Sequence, residues 1–197
     1  MLTTLREILA HARENRYAVP GFDCVEDVMV RAILETAESL HAPVILMALP
    51  SDLAGNGMTY VPRLVRAVAD HHPIPVALHL DHATDLDLVK KAIDCGFTSV
   101  MVDGSSLPFD DNVRLTQAAV ELAHPHGISV EAELGHVGGM DLEETACAES
   151  VLTDPVEVTK FVEQTAVDAL AVSIGTAHGV YRSTPNLAID RLREINA

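Results

Sequence analysis

Short apolar runs and amphipathic stretches alternate six times along this chain, and that alternation constrains the fold more than any other feature. Thr4 and Glu7 form a capping-box pattern, and Leu5, Ile8, Leu9 and Ala12 follow at helical spacing, so the chain opens with a helix. Strand-length apolar runs then fall at Tyr17 to Phe22, Val44 to Ala48, Val76 to Leu80, Ser99 to Val102, Ile128 to Glu133 and Ala169 to Ile174. Helical patterns separate them: Val30, Ile33, Leu34 and Ala37; residues 61–69; Leu86, Val89 and Ile93, stopped by Gly96; and residues 112–123, closed off by Gly127. Asp154, Pro155 and Glu157 supply an N-cap, an N1 proline and an N3 acid for a further helix, and residues 187–195 form the last. The strand runs are continuously apolar, which marks a sheet buried on both faces, and strict alternation with helices makes such a sheet parallel. A (β/α)8 barrel and an open doubly wound sheet both satisfy this pattern. No GxGxxG follows the first strand and no GxxxxGK[ST] occurs, so nucleotide-binding open sheets lose their best support.

A length of 197 residues suits one domain. The formal charge of −16, from 29 acids against 13 bases, argues against a nucleic-acid partner and against an anionic membrane surface. It suits a soluble, cytoplasmic protein. An anionic substrate would need local help from a metal or from backbone N–H groups. Cys24, Cys95 and Cys147 are odd in number, widely spaced and free of any CxxC, which speaks against a disulfide framework or a cysteine zinc site. The longest apolar run, residues 42–50, is too short to span a bilayer. Arg6, Glu7 and Arg13 inside the opening helical pattern do not read as a signal peptide.

Barrel enzymes place their chemistry at the C-terminal ends of the strands. Here those ends read His79-Leu80-Asp81-His82, Asp103-Gly104-Ser105-Ser106, Glu131-Ala132-Glu133-Leu134-Gly135-His136 and Gly175-Thr176-Ala177-His178-Gly179. Imidazole and carboxylate are the ligands of catalytic zinc, and an Asp beside a metal-bound substrate can move a proton. Each residue also has a plainer reading. A lone strand-end His is more often a surface residue. Asp81 could cap the next helix, and Glu131 or Glu133 could pair with a basic side chain. Their concentration at one end of successive strands favours a metal-assisted enzyme on an α/β barrel.

These segments resemble the class II, zinc-dependent ketose-bisphosphate aldolases, nearest the tagatose- and fructose-bisphosphate branch. The matching pieces are Tyr17-Ala18-Val19-Pro20, His41-Ala42-Pro43-Val44-Ile45, His79-Leu80-Asp81-His82-Ala83, Ser99-Val100-Met101-Val102-Asp103, Glu131-Ala132-Glu133-Leu134-Gly135 and Ala171 through Gly179, in family order. The resemblance implies a TIM barrel, represented here by an N-terminal helix and six βα units: a single, incomplete domain over residues 1–197. It implies reversible cleavage of a ketose 1,6-bisphosphate to dihydroxyacetone phosphate and an aldehyde phosphate, with zinc stabilising the enediolate. It makes His82 and His178 zinc ligands and Asp81 the group that exchanges a proton with the C4 hydroxyl. Asp103 and Glu133 become carboxylates at an alternative metal position, and Gly179 a backbone contact to the triose phosphate. A homo-oligomer is the expected assembly.

The chain also departs from the family. Asp23 stands where the family usually has Asn, and Leu49 where it has a small hydroxyl residue. Gly138-Gly139 is followed by Met140-Asp141, which leaves the C3 proton acceptor open among Asp141, Glu143 and Glu144. The third zinc histidine and the last phosphate-binding loops of the family have no counterpart in these residues. Two alternatives follow: a non-catalytic zinc-binding or interaction subunit, or an aldolase for a different ketose phosphate.

Overall fold

The computed structural model describes residues 1–139, 150–181 and 183–196. Six strands, β1 (Gly21–Asp23), β2 (Val44–Ala48), β3 (Val76–Ala83), β4 (Ser99–Val102), β5 (Ser129–Leu134) and β6 (Ala169–Val172), form one sheet in chain order. Every neighbouring pair is parallel. The crossovers carry α2 (Asp27–Ser39), α3 (Gly57–Ala69), α4 (Leu86–Cys95), α5 (Phe109–Ala123) and α6 (Pro155–Thr165), after α1 (Leu5–Asn15) and before α7 (Ile189–Ile195). This is the helix-clad parallel sheet that the alternation predicts, and it is the six-stranded part of a barrel that the resemblance implies. Among the described residues no helix is long and apolar enough to cross a membrane.

The two faces of the sheet differ in chemistry. Outward, Val44, Leu46, Val76, Leu78, Leu80, Val100 and Val130 pack with Val30, Leu34, Val65 and Val89 of the helices in the largest apolar cluster. Each such side chain contributes about 1.5–3 kcal/mol on burial. Inward, Ile45 and Ala77 meet Leu5 and Ile8, so α1 plugs the end of the sheet where the strands begin. Thr4 caps α1 through its hydroxyl to the Glu7 N–H, and Glu7 returns the bond to the Thr4 N–H. Arg6 reaches from α1 to Asp168, tying the plug to the start of β6.

The element boundaries differ from the sequence reading where a local bond replaces a ladder bond. β1 begins at Gly21, not Tyr17: Pro20 has no N–H to give, although its carbonyl still accepts from Ile45. β6 stops at Val172, two residues early, because the Ser173 N–H turns to the Thr153 hydroxyl at 2.8 Å. α3 starts at Gly57, ahead of the expected residue 61, and carries Pro62 inside it. Gly96 ends α4 at φ 88° and Gly127 follows the 3-10 turn at φ 70°, left-handed positions that glycine occupies without a Cβ penalty.

Candidate active site

The end of β3 departs from regular strand geometry. Leu80 pairs with Val100 and Ala83 with Val102, so three steps on β3 oppose two on β4. This extra residue is a β-bulge. Adjacent residues of a regular strand point to opposite faces. His82, held at φ 49°, instead brings its Nε2 to 3.9 Å from Asp81 Oδ1. The bulge thus presents both side chains at the mouth of the sheet.

Three further strand ends meet them there. His82 Nδ1 lies 2.8 Å from Asp103 Oδ2; a carboxylate only accepts, so Nδ1 donates and Nε2 is left to face the mouth. The other Asp103 oxygen accepts from the Ser105 N–H at 2.9 Å. Glu133, only 2% exposed, accepts from the Val137 N–H at 3.0 Å. His82, Asp103 and Glu133 each offer a ligand atom within 4.8 Å of the others. His178 stands outside that tight set but against it, its ring centroid 5.2 Å from that of His82. Gly179 follows at φ 79° in an exposed turn. One imidazole and two carboxylates beside a second imidazole is a donor set that fits zinc. An imidazole whose far nitrogen is anchored by a carboxylate is the usual way a protein orients such a ligand.

The charges follow from this crowding. Burial pulls the His82 pKa down, but the hydrogen bond to Asp103 and the charges of Asp81, Asp103 and Glu133 outweigh it and raise it to about 9. Burial opposes ionisation of Asp103, yet the bonds from His82 and Ser105 bring it to about 2. Asp81 is raised above the ordinary carboxylate value, chiefly by burial, with the His82 charge working the other way. Glu131 is pushed up to about 7 by burial and by the Asp81 charge.

Some strand-end residues take other places. His79 is not at the mouth: it is 2% exposed inside the sheet, with Nδ1 2.8 Å from Ser99 Oγ and Nε2 3.4 Å from Glu131. Burial lowers its pKa to about 3, so it is neutral. His136 lies to one side, 3.0 Å from Ser105 Oγ and 4.0 Å from Glu133. The support that Ser105 and the Val137 amide give to the carboxylates was missed from the sequence; only the Asp-Gly-Ser turn chemistry hinted at the first. Asp23 ends β1; burial and then the Asp52 charge raise its pKa. The Leu49 N–H donates to Asp52 at 3.0 Å. Asp141, Glu143 and Glu144 lie outside the described residues. A cavity of about 790 Å³, lined by Leu2, Ile8, Tyr17, Pro43 and Pro75, opens at the opposite end of the strands, away from these groups.

Parallel strands whose C-terminal ends converge on a histidine–carboxylate cluster define an α/β barrel protein with a candidate metal site at its mouth. Residues 3–197 match the class-II fructose-bisphosphate aldolase family, and the chain belongs to it. A curated relative, the fructose-bisphosphate aldolase of Giardia intestinalis, is 46% identical over 99% of this chain. The chain spans 61% of that relative's length. The crystal structure of the YdjI aldolase from Escherichia coli K12 superposes with a TM-score of 0.87 at 32% identity, covering 99% of this chain and 69% of that one. A structure from Coccidioides immitis, described as a candidate fructose-1,6-bisphosphate aldolase, gives a TM-score of 0.89 at 30% identity, covering 98% of this chain and 69% of that one.

Proposed function

We propose that the protein catalyses reversible aldol cleavage of a ketose 1,6-bisphosphate, of the fructose or tagatose type, using zinc. The observation that carries this is the placing of Asp81 beside His82, Asp103 and Glu133, with His178 facing them. His82 through Nε2 and His178 would hold the zinc, with Glu133 and Asp103 at its second position. The metal supplies a Lewis acid that polarises the ketone and offsets the charge developing on its oxygen. Asp81 takes the proton of the C4 hydroxyl as the bond between C3 and C4 breaks. Its pKa, raised by burial, makes Asp81 a stronger base than an ordinary carboxylate. The aldehyde phosphate leaves, and the three-carbon fragment retains the electron pair. Protonation at C3 by one of Asp141, Glu143 or Glu144 then gives dihydroxyacetone phosphate. The Gly179 backbone contacts the triose phosphate.

Asp103 and Ser105 orient His82, and the Val137 amide orients Glu133. One feature favours a different sugar in the same family: Asp23, raised in pKa by burial and Asp52, brings a further acid to the end of β1. The test is a cleavage assay of the natural protein against a panel of ketose mono- and bisphosphates, with and without a chelator. Chelator-sensitive cleavage of fructose or tagatose 1,6-bisphosphate is expected. Cleavage untouched by exhaustive metal removal would reject the zinc reading, and cleavage confined to another ketose phosphate would reject the substrate.

A further inference from the structure

We infer that Gly139 is a positioning residue for His178, through a main-chain strap that also holds Glu133. The inference rests on the reading of His178 as a metal ligand and concerns how its place is set. The His178 N–H donates to the Gly138 carbonyl at 2.8 Å, and Gly139 and His178 form an isolated parallel bridge. The contact is too close for any side chain. A Cβ on Gly139 would lie 2.4 Å from the His178 carbonyl oxygen and 2.6 Å from its nitrogen, both backbone atoms. Gly139 also sits at φ 134°, a conformation that L side chains rarely adopt.

The strap is anchored at both sides. The Gly138 N–H donates to Ser150 Oγ at 3.0 Å, and that hydroxyl donates to the Thr176 carbonyl at 3.3 Å, two residues before His178. His136 and Val151 exchange two backbone bonds of 2.8 Å each, closing the base of the segment. The Val137 N–H, one residue before the glycine pair, holds Glu133 Oε1 at 3.0 Å. Three consecutive residues, Val137, Gly138 and Gly139, therefore contact the Glu133 carboxylate and the His178 backbone. The strap sets the spacing between the end of β5 and the turn after β6, and with it the 5.2 Å approach of the His178 ring to His82. A side chain at residue 139 would push the His178 backbone away from Gly138 and carry the imidazole with it.

The experiment is a cobalt(II) titration of the natural protein after metal removal, read by visible absorption, on wild type, Gly139→Ala, Ser150→Ala and His178→Ala. Groups that orient a ligand are worth about 10–100-fold in metal affinity. Gly139→Ala is expected to weaken cobalt binding by about that factor and to alter the absorption band, in a metal-free protein that is still folded but melts below wild type. Ser150→Ala, which removes the hydroxyl link without a clash, should weaken binding in the same direction by less. Wild-type affinity and spectrum in Gly139→Ala would overturn the inference. Should Gly139→Ala fail to fold, Ser150→Ala decides, and wild-type affinity there overturns it. Wild-type affinity in His178→Ala would instead remove the reading of the site on which the inference rests.

Discussion

Asp81 and His82 are neighbours in sequence that share one side of the sheet only because β3 bulges there. Asp81→Ala in the natural protein should lower turnover roughly 10²–10⁴-fold while leaving zinc content intact. Loss of metal in proportion to activity would assign Asp81 a structural part instead. The His82–Asp103 pair also has a pH signature. In the metal-free protein the His82 pKa, raised to about 9, means the pair's contribution to stability is complete below the unfolded value of about 6.5 and is lost as pH rises through 9. Asp103, lowered to about 2, is the same interaction seen from its partner: its contribution is present above about 3.9 and is lost as pH falls toward 2. Asp103→Asn should therefore flatten the fall in melting temperature of the metal-free protein between about pH 6.5 and 9. Unchanged melting profiles would contradict the pairing. Metal binding at His82 must displace that proton, so zinc affinity should rise about tenfold per pH unit toward 9. Residue types and strand-end spacing grouped the strand-end histidines and carboxylates at one mouth, since parallel strands bring their ends together, and the resemblance singled out His82, Asp103 and Glu133 among them. They misplaced His79 at the mouth, because spacing says where a strand ends and not how deep a side chain sits. The backbone donors behind the carboxylates carry no sequence signature at all.

Among the elements, those with strong local chemistry were read most closely. The Thr4–Glu7 box and the Asp154–Pro155 start lie where the sequence put them, because capping is decided within four residues. Strand ends drifted where a distant hydroxyl, Thr153 for β6, captured an amide. The tie between α1 and β6 is of this long-range kind, and sequence could not reveal it. Asp168 accepts from Arg6 at 2.7 Å and from the Val130 N–H at 2.7 Å, and lies 2.9 Å from His124 Nε2. Arg6 is half exposed, so the charge pair alone counts for little. The Val130 amide is what makes Asp168 matter, since Asp168→Ala leaves that donor without its partner. A loss of roughly 1–3 kcal/mol is expected in denaturant unfolding. The Asp168 pKa is held below its ordinary value: burial opposes this, but the bonds from Arg6, Val130 and His124 prevail. Its contribution is thus present above about pH 3.9 and is lost on acidification. Equal stability of wild type and variant at pH 7 would remove the tie from the fold's essential bonds.

At the scale of the whole molecule, β1 pairs only with β2 and β6 only with β5 among the described residues, so each carries one unpaired side. Apolar surface accompanies both edges: Phe22 on β1 is 44% exposed, and beyond β6 Val180 is 94% and Leu187 40%. Unpaired edges and exposed apolar patches recruit other chains. A polypeptide of residues 1–197 alone should therefore self-associate in analytical ultracentrifugation and cleave sugar phosphates poorly; a monomeric, fully active polypeptide would contradict both expectations. The fold was more legible than this behaviour, because the alternation of runs is local while the fate of an edge depends on what lies beside it. The strand order has a further consequence for how the chain is made. Each strand docks on the one synthesised just before it, so no strand pairing needs to wait for a distant segment to leave the ribosome. The nascent sheet can grow one βα unit at a time, and its leading edge stays bare until the next strand emerges. Translation speed through the helical crossovers then sets how long each bare edge remains open to the wrong neighbour.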